Sequence, residues 1–301
     1  MKHVKQLIVV CFLSLLVLSS CSQREKIVPR EVQFPEISPG LAKIMTFNIR
    51  YGSATDGENH WNLRKELVFD ALADYAADVM GLQEALDFQI KEIKRALPGY
   101  KAVAAGRDDG TDAGEACPIL YRSDRFILAS SGTFWFSNTP WKAGSKHWGN
   151  ECPRICTWVR LTEIGTNTSF YVYNLHLDHQ SQNSRQHSME LLAKEIAKRK
   201  HPDPVIVMGD FNMGTENPAM SAFRANDTRR TRYIDVWQHL HPDQPEIKTY
   251  HAFGTQPDGP CLDHILIDQN IEIIEVVIDA RKFRGRYPSD HFPVIAHLRI
   301  H

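Results

Sequence analysis

Seven polar residues in this chain stand at the edges of short apolar runs: Asn48, Glu84, His176, Asp210, Asn212, Asp263 and His291. Carboxylates and imidazoles are the side chains that most often move protons near neutral pH. Glu84 is an oxygen donor of the kind that Mg²⁺ or Mn²⁺ takes. Any one of these positions alone reads equally well as turn chemistry, since Gly209-Asp210-Phe211-Asn212 and Ser289-Asp290-His291 are segments that an Asx side chain stabilises. Their common setting is more informative: polar residues that follow apolar strands gather along one edge of a sheet, where the rigid backbone fixes them.

The elements that would hold them alternate strand and helix from Leu41 onward. Strands are expected at Leu41–Asn48, Asp78–Leu82, Pro118–Tyr121, Ile155–Leu161, Phe170–Leu175, Pro204–Met208, Asp263–Ile267, Glu272–Asp279 and Val294–Leu298. Helices are expected from Asn62, with Leu63, Leu67, Leu72 and Tyr75 on the buried face, then over Asp87–Leu97 and Ser184–Lys200. Thr133–Glu151, rich in Trp, Gly and Asn, reads as a long irregular binding loop. Strands outnumber helices, which predicts one α/β domain of two packed sheets with helices outside rather than a single doubly wound sheet.

The 301 residues are 43% hydrophobic and 24% charged, ordinary globular values that exclude a disordered or fibrous chain. A formal charge of −1 gives no global field to attract a polyanion. At the amino end Lys2 and Lys5 precede an apolar run, Leu7–Leu18, too short to span a bilayer and typical of a signal peptide. It closes on Leu18-Ser19-Ser20-Cys21, which resembles a bacterial lipoprotein box. That resemblance implies a signal over residues 1–20, lipidation of Cys21, a tether to residue 40, a catalytic domain over 41–301, and an address on the cell envelope, with the membrane reached through the lipid. A plain secretory signal is the alternative. Of the remaining cysteines, Cys117, Cys152, Cys156 and Cys261 are expected as buried thiols or with one structural disulfide.

The motifs Met45-Thr46-Phe47-Asn48, Gly81-Leu82-Gln83-Glu84, Asn174-Leu175-His176-Leu177, Gly209-Asp210-Phe211-Asn212, Leu262-Asp263-His264-Ile265 and Ser289-Asp290-His291-Phe292-Pro293 occur in one order. With them the chain resembles the endonuclease/exonuclease/phosphatase superfamily from about Leu41 to its end. The resemblance implies a four-layered α/β sandwich, two mixed β-sheets packed together and flanked by helices, with a divalent metal, Mg²⁺ or Mn²⁺, at one end of the sheets. It implies Glu84 as the metal ligand, aided by Asn48 and Asp290. Asp210 would orient or deprotonate the attacking water, Asn212 would donate to a phosphoryl oxygen, and His291 would stand beside the scissile phosphate, held by Asp263. His176 would be a second catalytic histidine with Glu115 as its carboxylate partner, and Arg154 would bind phosphate.

A phosphate ester is therefore the expected substrate. Nucleic acid is the first candidate, cut internally or from the 3′ end; a lipid, inositol or sugar phosphate is the second; a non-catalytic surface binding protein is a third reading. No protein partner is inferred. Thr249-Tyr250-His251 is a substrate-contact guess, His179 and Asp178 read as supporting or surface residues, and the basic runs Arg281–Arg286 and Arg229, Arg230, Arg232 read as solvated faces or phosphate grips. The chain lacks the G-x-S-x-G elbow of a serine hydrolase and the G-x-G-x-x-G of a dinucleotide enzyme.

Overall fold

A computed structural model describes residues 27–34, 38–225, 232–244 and 247–301. The signal region, Cys21, Arg229 and Arg230 lie outside them. In chain order the elements are β1 (Leu41–Asn48), α1 (Trp61–Tyr75), β2 (Val79–Gln83), α2 (Asp87–Ala96), β3 (Tyr100–Val103), β4 (Ile119–Arg122), β5 (Phe126–Trp135), β6 (Ile155–Glu163), β7 (Ser169–His176), α3 (Gln182–Ala197), β8 (Val205–Asp210), α4 (Pro218–Ala225), β9 (Tyr233–Asp235), α5 (Val236–Leu240), β10 (Asp263–Asp268), β11 (Glu272–Ile278) and β12 (Val294–Arg299). They build two six-stranded mixed sheets, ordered β11-β12-β1-β2-β4-β3 and β5-β6-β7-β8-β10-β9.

The alternation of side chains along each strand sends one set inward and the other outward. Inward residues such as Ile44, Ile119, Val159, Met208, Ile265 and Val294 fill the space between the sheets. The outward set of the first sheet, including Met45, Met80 and Leu120, packs under α1 and α2 with Trp61, Phe69 and Ile93. That of the second sheet, including Tyr173 and Val207, packs under α3 and α4 with Met189 and Met220. This is the expected four-layered sandwich.

Both sheets are centred on a parallel pair, β1 with β2 and β7 with β8, while β10 runs antiparallel to β8. The carboxyl ends of the parallel pairs therefore meet at one edge. The register places Asn48 beside Gln83, His176 beside Asp210, and Asp210 beside Asp263. Polar side chains cross between the sheets just beneath this edge: Gln83 Nε2 donates to Asn174 Oδ1 at 2.6 Å, and Asn174 Nδ2 donates to the carbonyls of Leu82 and Pro118. The Gln83 and Asn174 amide nitrogens and the Asn174 oxygen all find partners, which ties the two sheets together at this level.

Several elements differ from expectation. The irregular segment over Thr133–Glu151 begins inside β5, a strand the sequence hides because its middle is exposed and a bulge at Leu128–Ser130 breaks the alternation. In α1 Leu67, Leu72 and Tyr75 are buried as expected, together with Trp61, Arg64, Val68 and Phe69, whereas Leu63 points to solvent. The stretch expected as a free tether is docked from residue 27: Ile27, Val32 and Phe34 pack on the α1–α2 layer, the Arg30 amide donates to the Ala96 carbonyl, and its guanidinium pairs with Glu66 and Asp70. Phe34 lies against Tyr100 and beneath the Arg122 guanidinium. Apolar packing and the polar contacts of Arg30 together hold this Pro-bearing segment. Cys117, Cys152 and Cys156 are free thiols, and Cys117, Cys156 and Cys261 are buried. Among the described residues no helix is long and apolar enough to cross a membrane.

Candidate active site

Asn48 ends β1 fully buried, and its side chain joins the two sheets. Its Nδ2 donates to Glu84 Oε1 at 3.1 Å and to Asp210 Oδ2 at 3.0 Å, while its Oδ1 accepts the Arg50 amide at 3.0 Å. The amide thus turns its donor side toward two carboxylates. In this arrangement its oxygen accepts a backbone amide, and its side chain holds Glu84 and Asp210.

Glu84 leaves β2 in a left-handed conformation, φ 59°, which costs a non-glycine residue energy and marks a constrained position. The turn is held because Glu84 Oε2 accepts the Tyr51 amide at 2.7 Å. Asp290 is buried, 3.7 Å from Arg50, and accepts from the Ser289 hydroxyl. Burial pushes its carboxyl upward, and the nearby charge of Glu84 pushes in the same direction against His291 and Arg50.

Asp210, the last residue of β8, is buried, and its carboxyl is raised to about 7, first by burial and then by the charge of Asp263. Its Oδ1 accepts the Asn212 amide at 2.9 Å. The close approach that puts it there needs Gly209, since a Cβ at that position would stand 2.1 Å from the Leu175 carbonyl oxygen. Asn212 has φ 50°, and its Nδ2 donates to the Leu177 carbonyl at 3.1 Å, so one amide hydrogen of the pair is free for another acceptor.

His291 Nδ1 lies 2.7 Å from Asp263 Oδ2. Burial alone would lower this imidazole, but the charge and hydrogen bond of Asp263, with Asp210 and Asp290 near, hold it up to about 10. It is therefore a cation at neutral pH. Asp210, Asp263 and His291 are close enough to bind a metal through one atom each. The short His291–Asp263 contact and the amide held by Asp210 make this trio a hydrogen-bonded acid–base group. Asp263 is fixed in turn by Thr249, whose hydroxyl oxygen accepts the amides of residues 262 and 263.

His176 Nε2 lies 3.5 Å from Asp210 Oδ2. Its pKa is held well below the usual value by burial first and then by Arg154 and Arg107, so it is neutral. Glu115 does not pair with it. Both Glu115 oxygens accept from Arg107, at 2.7 and 2.8 Å, a bidentate arrangement that captures the carboxylate. Arg154 is buried beside His176, with Nη2 3.1 Å from His179 Nδ1 and Nε 3.5 Å from Asp178. His176, Glu115, Arg107, Arg154 and His179, with Glu84, Asp210, Asn212, Asp290 and His291, line one cleft of about 610 Å³, to which Arg50, Tyr51, Tyr250 and Gln256 also contribute.

All the expected site residues meet here except Asp263, which stands behind His291, and Asn48, which lies beneath the floor. Tyr250 reaches the cleft, whereas His251 stacks behind it on Phe292 at 3.9 Å. Arg50 and Arg107 were not singled out by sequence; a lone arginine in a loop carries no signal of its own. The basic run at 281–286 is committed elsewhere: Arg281 pairs with Asp279 and Asp74, Arg284 pairs with Asp70, and Arg286 donates to backbone carbonyls. Arg232 lines a separate surface cleft beside Arg224.

A two-sheet sandwich with carboxylates, a charged histidine and arginines gathered at one edge is the form of a phosphoric ester hydrolase. The Endonuclease/Exonuclease/phosphatase family model matches residues 45–291, and the chain belongs to that family. A solved endonuclease/exonuclease/phosphatase from Bacteroides vulgatus is 30% identical, with a TM-score of 0.80 over 87% of this chain and 99% of that one. A mannosyl-6-phosphatase of Bacteroides thetaiotaomicron is 29% identical, with a TM-score of 0.76 over 85% and 99% of the two chains. An uncharacterised protein of Acanthamoeba polyphaga mimivirus is 27% identical over 268 residues, 84% of this chain and 98% of its own length.

Proposed function

We propose that this protein is a divalent-metal-dependent phosphatase acting on a sugar phosphate or similar small phosphomonoester. The observation that carries the reading is the link Glu84–Asn48–Asp210 beside the His291–Asp263 pair: a candidate metal ligand, a candidate base and a buried cation fixed around one cleft. The donor set suits a hard cation, because Glu84 and Asp290 bring two carboxylates to one wall, where the charge of Glu84 raises the cost of ionising Asp290. These two residues would hold Mg²⁺ or Mn²⁺, which when bound would offset charge on the phosphoryl and leaving oxygens.

Asp210, with its pKa near neutrality, accepts a proton from the attacking water, and Asn48 and the Asn212 amide keep its carboxylate oriented. His291 donates from its cationic ring to a phosphoryl oxygen, and Asp263 keeps that ring charged. His176, neutral and backed by Arg154, supplies a further donor to the same oxygens. A small ester is favoured over nucleic acid because the 281–286 arginines do not line the cleft and pair instead with Asp279, Asp74 and Asp70 or with backbone carbonyls. The similarity to a mannosyl-6-phosphatase supports the same choice. The amino-terminal pattern adds an envelope location through a lipid on Cys21.

The test is release of phosphate or product from a panel of mannose 6-phosphate, other sugar phosphates, phosphoinositides, sphingomyelin, DNA and RNA, with Mg²⁺ present. Turnover of a sugar phosphate at least tenfold above every diester supports the proposal. Preference for DNA or RNA would replace the phosphatase reading by a nuclease, and preference for a phospholipid by a lipid phosphodiesterase.

A further inference from the structure

Arg64 lies outside the cleft, yet it is among the most completely buried side chains of the protein, 1% exposed. Among the described residues no carboxylate lies within ion-pair distance of it. Its guanidinium instead donates to four backbone carbonyls: Nε to Asn59 at 2.8 Å, Nη1 to Ile49 at 2.8 Å and Pro288 at 2.9 Å, and Nη2 to Arg50 at 3.0 Å. The rings of Trp61 and Phe253 lie 5.2 and 5.7 Å from its Cζ. A cation this deep is disfavoured unless every donor is satisfied and the charge has use.

Three of the four carbonyls, those of Ile49, Arg50 and Pro288, belong to segments that hold or carry the candidate metal ligands. Ile49 and Arg50 follow Asn48, and the amides of Arg50 and Tyr51 are the donors that hold Asn48 Oδ1 and Glu84 Oε2. Pro288 precedes Ser289, whose hydroxyl donates to the Asn48 carbonyl, and Asp290 comes next. We propose that Arg64 is a positioning residue for the metal site, one planar fork that sets Glu84 and Asp290 at the spacing a divalent cation needs, a role that rests on the metal reading above. The left-handed φ of Arg50, 61°, shows that the turn is constrained and needs such a clamp. A lysine keeps the charge but cannot reach three chain segments from one point.

The experiment is calorimetric titration of purified wild type, Arg64→Lys and Arg64→Met with Mn²⁺ and Mg²⁺, beside thermal melts without metal and turnover against free Mg²⁺. Loss of outer contacts around metal ligands typically weakens metal affinity by about 10- to 100-fold. Expected is a dissociation constant raised at least tenfold in Arg64→Lys while the chain still melts cooperatively, with turnover recovering to within a few-fold of wild type at saturating Mg²⁺. A folded Arg64→Lys or Arg64→Met that binds metal as tightly as wild type overturns the proposal. So does turnover lost equally at all Mg²⁺ concentrations, and so does absence of cooperative melting in both variants, which would make Arg64 a residue of the fold alone. Wild type that binds neither ion overturns the metal reading itself.

Discussion

Replacing Asp263 by Asn removes one charge and keeps the shape of the side chain, which isolates its effect on His291. Burial lowers the imidazole, and the Asp263 carboxylate, 2.7 Å from Nδ1, is the chief group that raises it to about 10. Without that charge, burial, the largest influence on the ring, draws His291 down, so the variant loses its cationic ring at a lower pH than wild type. Turnover in Asp263→Asn is therefore expected to drop about 100-fold at pH 8.5, the usual worth of a positioned acid–base group, and by less as the pH falls and the ring regains its proton. The assay is the initial rate of phosphate release from pH 5.5 to 9.5 at saturating Mg²⁺. Stability follows the same sign: a pKa raised on folding stabilises the native state fully below 6.5, and that contribution disappears as pH rises through about 10, so the stability gap between the two proteins closes in alkali. A defect in turnover of equal size at every pH would refute the protonation argument.

Other perturbations probe the scaffold. Gly209→Ala puts a Cβ 2.1 Å from the Leu175 carbonyl, and crowding of this kind typically costs about 1–3 kcal/mol; the denaturation midpoint should fall, and turnover with it as Asp210 shifts. A wild-type midpoint and rate would show that β8 yields more easily than its packing suggests. Phe34→Ala should lower stability by about 1–3 kcal/mol in denaturant titration while leaving turnover of the folded protein unchanged, because Phe34 packs near Arg122 at the sheet edge opposite the cleft; an unchanged midpoint would mean that the amino-terminal segment is not docked.

The site was legible because its residues follow apolar strands, and strand ends are where a sheet delivers side chains to one edge. Asp210, Asn212, Glu84 and His291 could be placed from that rule and from the spacing of the motifs. What escaped was set by partners distant in sequence. Glu115 is taken by Arg107, which stands in a loop whose fold its composition does not reveal. Asn48 faces its donor side inward because the Arg50 amide claims its oxygen. Arg64 reads as a solvated helix residue until Ile49 and Pro288 are seen to converge on it. The strand β5 was hidden by its exposed middle and bulge, and the docking of residues 27–34 by a composition that suits a linker.

The most direct test is the rate of phosphate release from a sugar phosphate against free Mg²⁺, measured for wild type and Glu84→Gln in one series with excess chelator as the zero. Glu84 is the carboxylate held by Asn48 and the Tyr51 amide at the cleft wall, and Gln keeps its shape and one of those two acceptor contacts while removing the charge. The account predicts no turnover in chelator, saturable activation of wild type, and a loss of about 100-fold or more in Glu84→Gln. Full turnover in chelator, or a Glu84→Gln enzyme as active as wild type, would contradict a metal-assisted reaction at this site.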